Sequence, residues 1–264
     1  KQYLCTKYQN LHLKFYNFIM QLQVIAYAKN GFSKKFGIPR QSREDSCLET
    51  RIVFEPDYRV REALRGIEDY SHLWLLWGFS ENENANEVPS LNYENVESTK
   101  TMSWSPTVRP PRLGGNKRVG VFATRSPFRP NPIGLTSVKL LRIEDTKQEG
   151  LALVVSGADL LNGTPIYDIK PYLAFSDSHP QAKNGFAEMT KDYFLEVIIE
   201  DKLLQEALQK GCPWVALREI LSQDPRPAYQ NNPERLYFLE YDNWTVEFVV
   251  DDAIVCVKRL RENE

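Results

Sequence analysis

The residues best suited to chemistry are the cations of one basic segment, Ser98 to Ile143, which contains no Asp or Glu. The whole chain has a formal net charge of −2, so its acidic excess lies outside this segment. Charges segregated in this way create a local positive potential that attracts an anionic ligand or a polyanion. The cations of the basic segment are Lys100, Arg109, Arg112, Lys117, Arg118, Arg125, Arg129, Lys139 and Arg142. We therefore place the functional centre in this segment.

The loops of the basic segment are shaped by six prolines and four glycines. Proline fixes φ, and glycine lets the backbone approach a ligand closely. A guanidinium fork matches carboxylates and phosphates, so Arg118, Arg125 and Arg129 are candidates to hold such groups of an anionic ligand. The alternative is that these arginines form ion pairs with the acidic remainder of the chain. Asn131, between two prolines, can offer its amide to the edge of a base.

Two carboxylates outside the basic segment are further candidates. Asp159 precedes the turn LLNGTP at the end of a predicted strand, where a carboxylate can accept hydrogen bonds from ribose hydroxyls. Asp168 lies in PIYDIKP and can relay a proton or hold Lys170. Neither motif is specific enough to define a site without further support.

The sequence lacks the motifs of most catalytic mechanisms, since GxSxG, HExxH, a Walker loop and GxGxxG do not occur in it. The four cysteines are scattered without a CxxC pair, which favours reduced thiols in a cytoplasmic protein over a disulfide framework or a zinc site. The three histidines lie far apart, so we expect no metal site. Methyl transfer from a sulfonium donor fits, because there the protein mainly aligns donor and acceptor.

The elements that must position these residues are mostly strands. Their close spacing predicts a mainly β fold with a barrel-like N-terminal domain. The sequence does not show the alternation of strands and helices that is typical of a Rossmann fold. The apolar run at 71–80 predicts a buried strand in which Trp74 and Trp77 are core residues and His72 is structural. Residues 58–69 have helical character, and residues 81–101 are a polar surface insertion. The strands predicted here are 21–28, 50–54, 71–80, 118–124, 135–145, 151–159 and 165–175.

The composition changes near residue 176 and predicts a small α+β C-terminal domain. Its two helices are expected at 202–210 and 214–223, the second starting after Pro213. Three alternating strands are expected to follow, at 235–242, 243–251 and 253–261. The domains predicted from the sequence are an extension at 1–19, a β-barrel domain at 20–175 and the α+β domain at 176–264.

Five motifs resemble the TsaA/TrmO (YaeB-like) family, in the family's order. The longest is PTVRPPRLGGNKRVGVFATRSPFRPNPIGLTSVKL, from Pro106 to Leu140, which is too long to arise by chance. The others are KFGIPRQ at 35–41, ALRGIEDYSHLWLL at 63–76, DLLNGTPIYDIKPYL at 159–173 and QDPRPAY at 223–229. The insertion at 81–101 lengthens a loop of the family pattern and leaves the motifs intact.

This resemblance implies an S-adenosyl-L-methionine (SAM)-dependent tRNA methyltransferase built on a β-barrel and acting as a homodimer in the cytoplasm. The implied acceptor is N6 of the threonylcarbamoyl-modified adenosine 3′ of the anticodon in threonine tRNA. The resemblance and the residue types together assign cofactor binding to Arg40, Gln41, Ser42, Phe79, Ser80, Arg118, Arg125, Asp159 and Leu160. They assign RNA binding to Arg112, Lys117, Arg129 and Arg226, and they leave Asp168 and Asn131 as catalytic candidates.

Alternatives stay open at this stage. Phe79 can equally be a core residue, and Asp224 with Arg226 can simply cap a helix end. We expect the C-terminal domain to serve the RNA and to leave cofactor binding to the first half of the chain. The rival functions are a non-catalytic RNA-binding protein and a small-molecule methyltransferase whose cations hold an anionic substrate.

Overall fold

The computed structural model describes residues 21–43, 45–79, 104–110, 113, 117–190, 193–227, 230 and 232–263. The predicted extension at 1–19 lies outside these residues, as does the whole of the insertion at 81–101. The strands of the first half are β1 (Ala26–Lys29), β2 (Glu49–Phe54), β3 (His72–Gly78), β4 (Thr107–Val108), β5 (Val119–Gly120), β6 (Ile133–Thr146), β7 (Gly150–Ser156) and β8 (Pro165–Pro171).

Six of these strands form a closed barrel in the order β1-β2-β7-β6-β3-β8, and β8 pairs back to β1. All six contacts are antiparallel. Strand β6 is long enough to pair with two neighbouring strands of the barrel, because its first part pairs with β3 and its second part pairs with β7. The predicted mainly β, barrel-like fold is confirmed.

The barrel core consists of the residues that alternate inward along its strands, as the period of two requires. Leu73, Leu75 and Trp77 of β3 are buried, so Trp77 is the core residue that the sequence predicted. Trp74 is half-buried and donates from Nε1 to Asp177 Oδ2 at 2.8 Å, so it lies outside this core. His72 contacts Ser71 Oγ at 2.9 Å, which fits the structural role predicted for it.

Three connections leave the same end of the barrel. They are the loop 30–48 between β1 and β2, the long connection 79–132 between β3 and β6, and the turn 157–164 between β7 and β8. The antiparallel register requires this, because Lys29 faces Arg51 and Gly78 faces Ile133. Almost all candidate residues of the first half fall on these three connections.

The helical character predicted for residues 58–69 takes the form of short 3₁₀ helices at Pro56–Tyr58, Arg61–Leu64 and Ile67–Asp69. Two other sequence predictions of local structure were wrong. The predicted strand 118–124 is reduced to β5 and is followed by a 3₁₀ turn at Val121–Ala123. The predicted strand 165–175 ends at Pro171, and a short helix α1 (Ala174–Asp177) follows. Prolines and small residues near these positions explain the interrupted regular structure.

The rest of the chain forms α2 (Asp201–Gln209), α3 (Trp214–Ser222) and a four-stranded sheet. The sheet strands are β9 (Glu196–Ile198), β10 (Tyr237–Tyr241), β11 (Trp244–Asp251) and β12 (Ile254–Glu262), in the order β10-β11-β12-β9. The two helices and the three C-terminal strands were predicted, whereas β9 was missed. Strand β9 is three residues long and pairs in parallel with β12, so no local pattern marks it.

A second hydrophobic core lies between this sheet and α3, and it includes two residues of loop 30–48. Phe32 and Leu48 are 1% and 2% exposed in this cluster, beside residues such as Leu239 and Phe248. The C-terminal elements therefore share their core with a connection of the barrel. The domain boundary near residue 175 stays a prediction, and this shared core bears directly on it.

Candidate functional site

Loop 30–48 is fixed to the barrel end at two places. Asn30 donates from Nδ2 to Thr50 Oγ1 at 3.3 Å and to the carbonyl oxygen of Leu160 at 2.9 Å. Gly157, at φ +78°, lies so close to the loop that a Cβ there would be 2.2 Å from the carbonyl oxygen of Arg43. Only glycine fits both the left-handed backbone and this close approach. The loop therefore packs directly on the turn that follows β7.

The basic segment is joined to loop 30–48 by one short hydrogen bond. Arg125 donates from Nη1 to Gln41 Oε1 at 2.6 Å, and both side chains are exposed. Two residues predicted to bind the cofactor, 84 positions apart in the chain, are thus brought into contact. The amide of Gln41 holds one edge of the guanidinium and leaves other N–H groups for an anionic ligand.

Asp159 ends a chain of hydrogen bonds that starts inside the barrel. Trp77 donates from Nε1 to Thr136 Oγ1 at 3.0 Å, and Thr136 donates to Asp159 Oδ1 at 2.8 Å. Burial raises the pKa of the Asp159 carboxyl, and the hydrogen bond from Thr136 and the charge of Arg125 oppose this effect. The charge of Arg125 therefore acts on this carboxylate, one oxygen of which already accepts from Thr136.

Phe79 lies at the same barrel end, half-buried against Trp77. The ring centroids are 4.4 Å apart in an edge-on arrangement, and the Phe79 N–H donates to the carbonyl oxygen of Pro132 at 3.0 Å. This bond joins the end of β3 to the loop that carries Asn131, whose side chain is exposed. Phe79 is both packed and accessible, so the two predicted roles are compatible.

Arg118 and Arg129 of the basic segment are held by neutral partners, whereas Arg142, at its far end, pairs with Glu49 and Glu144. Arg118 donates to Thr107 Oγ1 at 2.8 Å and to the Thr107 carbonyl at 3.1 Å, and Arg129 donates to the Thr124 carbonyl at 3.5 Å. In the part of the chain that the structure describes, no carboxylate forms an ion pair with Arg118, Arg125 or Arg129. Their charges therefore stay available to an anion, and the ion-pair alternative is not realised there.

Two exposed phenylalanines accompany these cations, and the sequence analysis missed them. Phe122 is 73% exposed and Phe128 is 57% exposed. Phe122 lies 6.0 Å from the ring of Trp104, centroid to centroid. Aromatic rings between cations are the usual means of stacking unpaired bases while the phosphates are neutralised. The spacing of phenylalanine between arginines in VFATRSPFRP is the signal that could have revealed them.

Asp168 is not joined to this group. Its Oδ2 pairs with Lys170 Nζ at 2.7 Å and its Oδ1 accepts from the Ile169 N–H at 3.0 Å. The predicted contact with Lys170 is therefore present. Within the described residues, no hydrogen bond connects Asp168 with Gln41, Arg125 or Asp159. Its catalytic role stays a prediction.

The remaining predicted residues lie in different surroundings. Leu160 is fully buried and its carbonyl accepts from Asn30, so its position serves packing. Ser42 is half-buried and Lys117 is exposed. Ser80 and Arg112 lie outside the described residues.

Arg226 is 6% exposed and its guanidinium faces Asp224, with Nε–Oδ1 and Nη2–Oδ2 distances of 2.8 and 3.0 Å. The carbonyl of Arg226 accepts a 2.6 Å bond from Arg40 Nη2. The sequence analysis assigned Arg226 to RNA and Arg40 to the cofactor, and the contact between them was not foreseen. RNA binding by Arg226 stays a prediction, and its buried guanidinium does not favour that role.

Two absences concern only the described residues. None of their helices combines the length and apolar character needed to cross a membrane. Nor do His, Cys, Asp or Glu side chains come together there in threes or more in a manner that could hold a metal ion.

Comparison with known proteins places the chain among tRNA-modifying enzymes. Residues 27–178 match the family model of the tRNA-methyltransferase O N-terminal domain, and residues 195–263 match the TrmO C-terminal domain. A protein of Escherichia coli (strain K12) named tRNA (adenine(37)-N6)-methyltransferase is 38% identical over 243 residues, covering 88% of this chain and 94% of that protein.

A Pseudomonas aeruginosa protein named putative S-adenosylmethionine-dependent methyltransferase RcsF is 38% identical over 219 residues, covering 81% of this chain and 85% of that protein. Among solved structures, TrmO from Pseudomonas aeruginosa is similar with a TM-score of 0.69 and 26% identity. That likeness covers 92% of this chain and 99% of the solved one.

Proposed function

The chain belongs to the TrmO family of tRNA methyltransferases, and from this premise we propose that it transfers the methyl group of SAM to N6 of adenine 37 of a tRNA. The Gln41–Arg125 contact at the barrel end is the observation that carries this assignment to particular residues. The finer substrate that we propose is the threonylcarbamoyl-modified adenosine 3′ of the anticodon in threonine tRNA.

The residues at the barrel end suit the chemistry of SAM, which supplies a methyl group already activated on a sulfonium. Arg125, steadied by Gln41, can bind a carboxylate through its remaining N–H groups. The carboxylate of Asp159 can accept a further hydrogen bond from an ammonium or a hydroxyl, and the exposed part of Phe79 offers an apolar face to a base. The set therefore provides complementary groups for the anionic, cationic and aromatic parts of the cofactor.

The surface beside these residues suits RNA. Lys117, Arg118 and Arg125 are exposed without a carboxylate partner among the described residues, so each can neutralise a phosphate. Phe122 and Phe128 are exposed aromatic rings close in sequence to these cations. Bases of a single-stranded loop can stack on such rings, whereas paired bases cannot. We therefore propose that the anticodon loop is the part of the tRNA that is bound.

The reaction requires a weak nucleophile to be held in line, because the amino lone pair of adenine is delocalised into the ring. Orientation of the two reactants can supply several kcal/mol, about 7–11 at most, without a protein nucleophile. The exposed amide of Asn131, next to the Pro132–Phe79 contact, can orient the amino group by a hydrogen bond. Asp168 stays the candidate acceptor of the N6 proton, provided that Lys170 is displaced from it.

Two further parts of the proposal concern assembly and place. We propose a homodimer and a cytoplasmic location, the first from the family resemblance and the second from the unpaired, scattered cysteines. Cys47, Cys212 and Cys256 are free thiols in the structure. Size-exclusion chromatography with light scattering tests the dimer directly.

Incubation with labelled SAM and total tRNA, followed by identification of the methylated nucleoside, tests the function. We expect label on the N6 of the modified adenosine in threonine tRNA, and none in tRNA from cells that cannot make the threonylcarbamoyl group. Label on unmodified adenine 37 would retain the methyltransferase and reject the finer substrate. Binding of tRNA without binding of SAM in a calorimeter would instead support the RNA-binding rival.

A further inference from the structure

The part of loop 30–48 that carries Gln41 is held by the C-terminal elements on both sides. On the first side, Arg40 Nη2 donates to the carbonyl oxygen of Arg226 at 2.6 Å. Asp224, at φ 49°, fixes that carbonyl, because its carboxylate accepts from the Arg226 N–H at 3.3 Å as well as from the guanidinium. The turn 224–226 is thus locked by a largely buried ion pair whose side chains are 7% and 15% exposed.

The second side is held by α3. Glu219 accepts from Ser46 Oγ at 2.6 Å through one carboxylate oxygen and from the Cys47 N–H at 2.7 Å through the other. Leu48, which follows, is 2% exposed in the C-terminal core. A carboxylate that accepts a backbone N–H and a hydroxyl together fixes both the position and the direction of the chain.

Apolar contacts support the first side. Gly37, at φ +100°, leaves no room for a side chain, because a Cβ there would lie 2.2 Å from Leu239 Cδ1 of β10. Phe36 and Ile38 pack against the same cluster. The backbone on the N-terminal side of Gln41 is therefore pressed onto the C-terminal sheet.

We propose that the C-terminal unit positions Gln41, and through it Arg125, for cofactor binding, with Asp224, Arg226 and Glu219 as the positioning residues. Gln41 lies between the two held sides and contacts Arg125 at 2.6 Å. A shift of the loop would move the amide away from the guanidinium that it steadies. This inference rests on the proposed function, and it replaces the expectation that the C-terminal part serves only the RNA.

Two substitutions test the proposal through independent contacts. Asp224→Asn keeps a residue that tolerates the left-handed backbone and weakens the ion pair, and Glu219→Gln exchanges one acceptor oxygen for a donor. We expect each variant to raise the Kd for SAM by about tenfold, as the loss of a charge-assisted hydrogen bond implies. The Kd for tRNA should change by less than about twofold. Hydrogen exchange of the amides of residues 36–48 should become faster in the protein without ligand.

Glu247→Gln is the matched control. Glu247 is a buried carboxylate of the C-terminal sheet, 9% exposed, and it pairs with Arg259 and Arg261 instead of the loop. The Glu247→Gln variant should have a lower melting temperature, with unchanged SAM affinity and unchanged hydrogen exchange in residues 36–48. Equal loss of SAM affinity in this control would show that general destabilisation causes the effect, and it would overturn the proposal.

Arg226→Lys separates the proposal from direct RNA contact. Lysine keeps a point charge that can bind phosphate but loses the fork that grips Asp224. We expect weaker SAM binding with tRNA affinity retained. A loss of tRNA affinity alone, or unchanged exchange in residues 36–48, would overturn the positioning role. The native protein could fail to bind SAM while the variants still show faster hydrogen exchange in residues 36–48. In that case the proposed function fails, and the hold of the C-terminal unit on the loop is retained.

Discussion

Arg125 is the residue on which the cofactor assignment depends most. It is exposed, it is steadied by Gln41, and no carboxylate partner is found for it among the described residues. Arg125→Ala should raise the Kd for SAM by about tenfold or more, because a lost charge-assisted pair costs about 1.5–3 kcal/mol. Calorimetric titration of SAM in the absence of tRNA measures this effect.

Lys117→Ala is the control for Arg125. Lys117 is also exposed but lies where only the RNA is expected. It should weaken tRNA binding, lower the slope of log K against log salt by about one unit and leave SAM affinity unchanged. If both substitutions weakened only tRNA binding, Arg125 would contact phosphate instead of the cofactor.

Asp159 makes stability depend on pH. Its folded pKa is raised, chiefly by burial, so the folded state holds the proton more tightly than the unfolded state does. The ionised carboxylate therefore destabilises the fold above the folded pKa, and this penalty disappears as the pH falls below the unfolded value near 4. Asp159→Asn should raise Tm at pH 7 and leave it nearly unchanged at the acidic end. A Tm that falls equally at both pH values would contradict this account.

Cys47 should react slowly despite its exposed position. Partial desolvation of the sulfur, followed by the hydrogen bond and charge of Glu219, raises the pKa of its thiol to about 12. At pH 8 only about one thiol in ten thousand is then ionised, and the thiolate is the reactive form. Iodoacetamide should modify Cys47 faster in Glu219→Gln than in the native protein. An unchanged rate would show that Glu219 does not control this thiol.

At the scale of elements, substitution of two glycines tests how the turn after β7 supports loop 30–48. Gly157 and Gly163 both have positive φ, at +78° and +81°, but only Gly157 faces the loop, at the Arg43 carbonyl. Gly157→Ala should displace loop 30–48 and weaken SAM binding, whereas Gly163→Ala should show only the cost of the left-handed backbone, about 1–2 kcal/mol. SAM affinity and Tm of both variants measure the difference. Equal SAM affinities would show that the contact with Arg43 does not matter for the site.

Elements with a strong local pattern were predictable, and those fixed by distant contacts were not. The alternation of β11 and the apolar pattern of α3 after Pro213 gave correct elements. The strand β9 depends on its partner β12, and the turns of the basic segment depend on bonds such as that from Val121 N to the Pro106 carbonyl. For the site, residue type indicated Arg125 and Asp159, but only the fold reveals the contacts with Gln41 and Thr136.

At the scale of the whole molecule, the two cores are joined by one loop. Loop 30–48 starts and ends at barrel strands, yet Phe32 and Leu48 are buried in the C-terminal core. The buried ion pair of Asp224 and Arg226 belongs to the C-terminal elements. The carbonyl oxygen of Arg226 accepts a hydrogen bond from Arg40 of the loop. The barrel is thus closed by its own strands, whereas the geometry of its candidate cofactor loop depends on the rest of the chain.

This dependence changes what truncation should do. From sequence alone, a protein ending near Phe175 is expected to fold and to bind SAM well. Removal of the C-terminal elements instead exposes Phe32 and Leu48, and burying each such side chain stabilises by about 1.5–3 kcal/mol. The six barrel strands keep their pairing partners, so we expect a cooperative melt with SAM affinity lowered by tenfold or more. Circular dichroism of residues 20–175 measures the melt, and calorimetry measures the SAM affinity. The double substitution Phe32→Ser and Leu48→Ser in the same truncation separates insolubility from loss of binding. A soluble, folded truncation with native SAM affinity would show that the barrel alone arranges its cofactor loop.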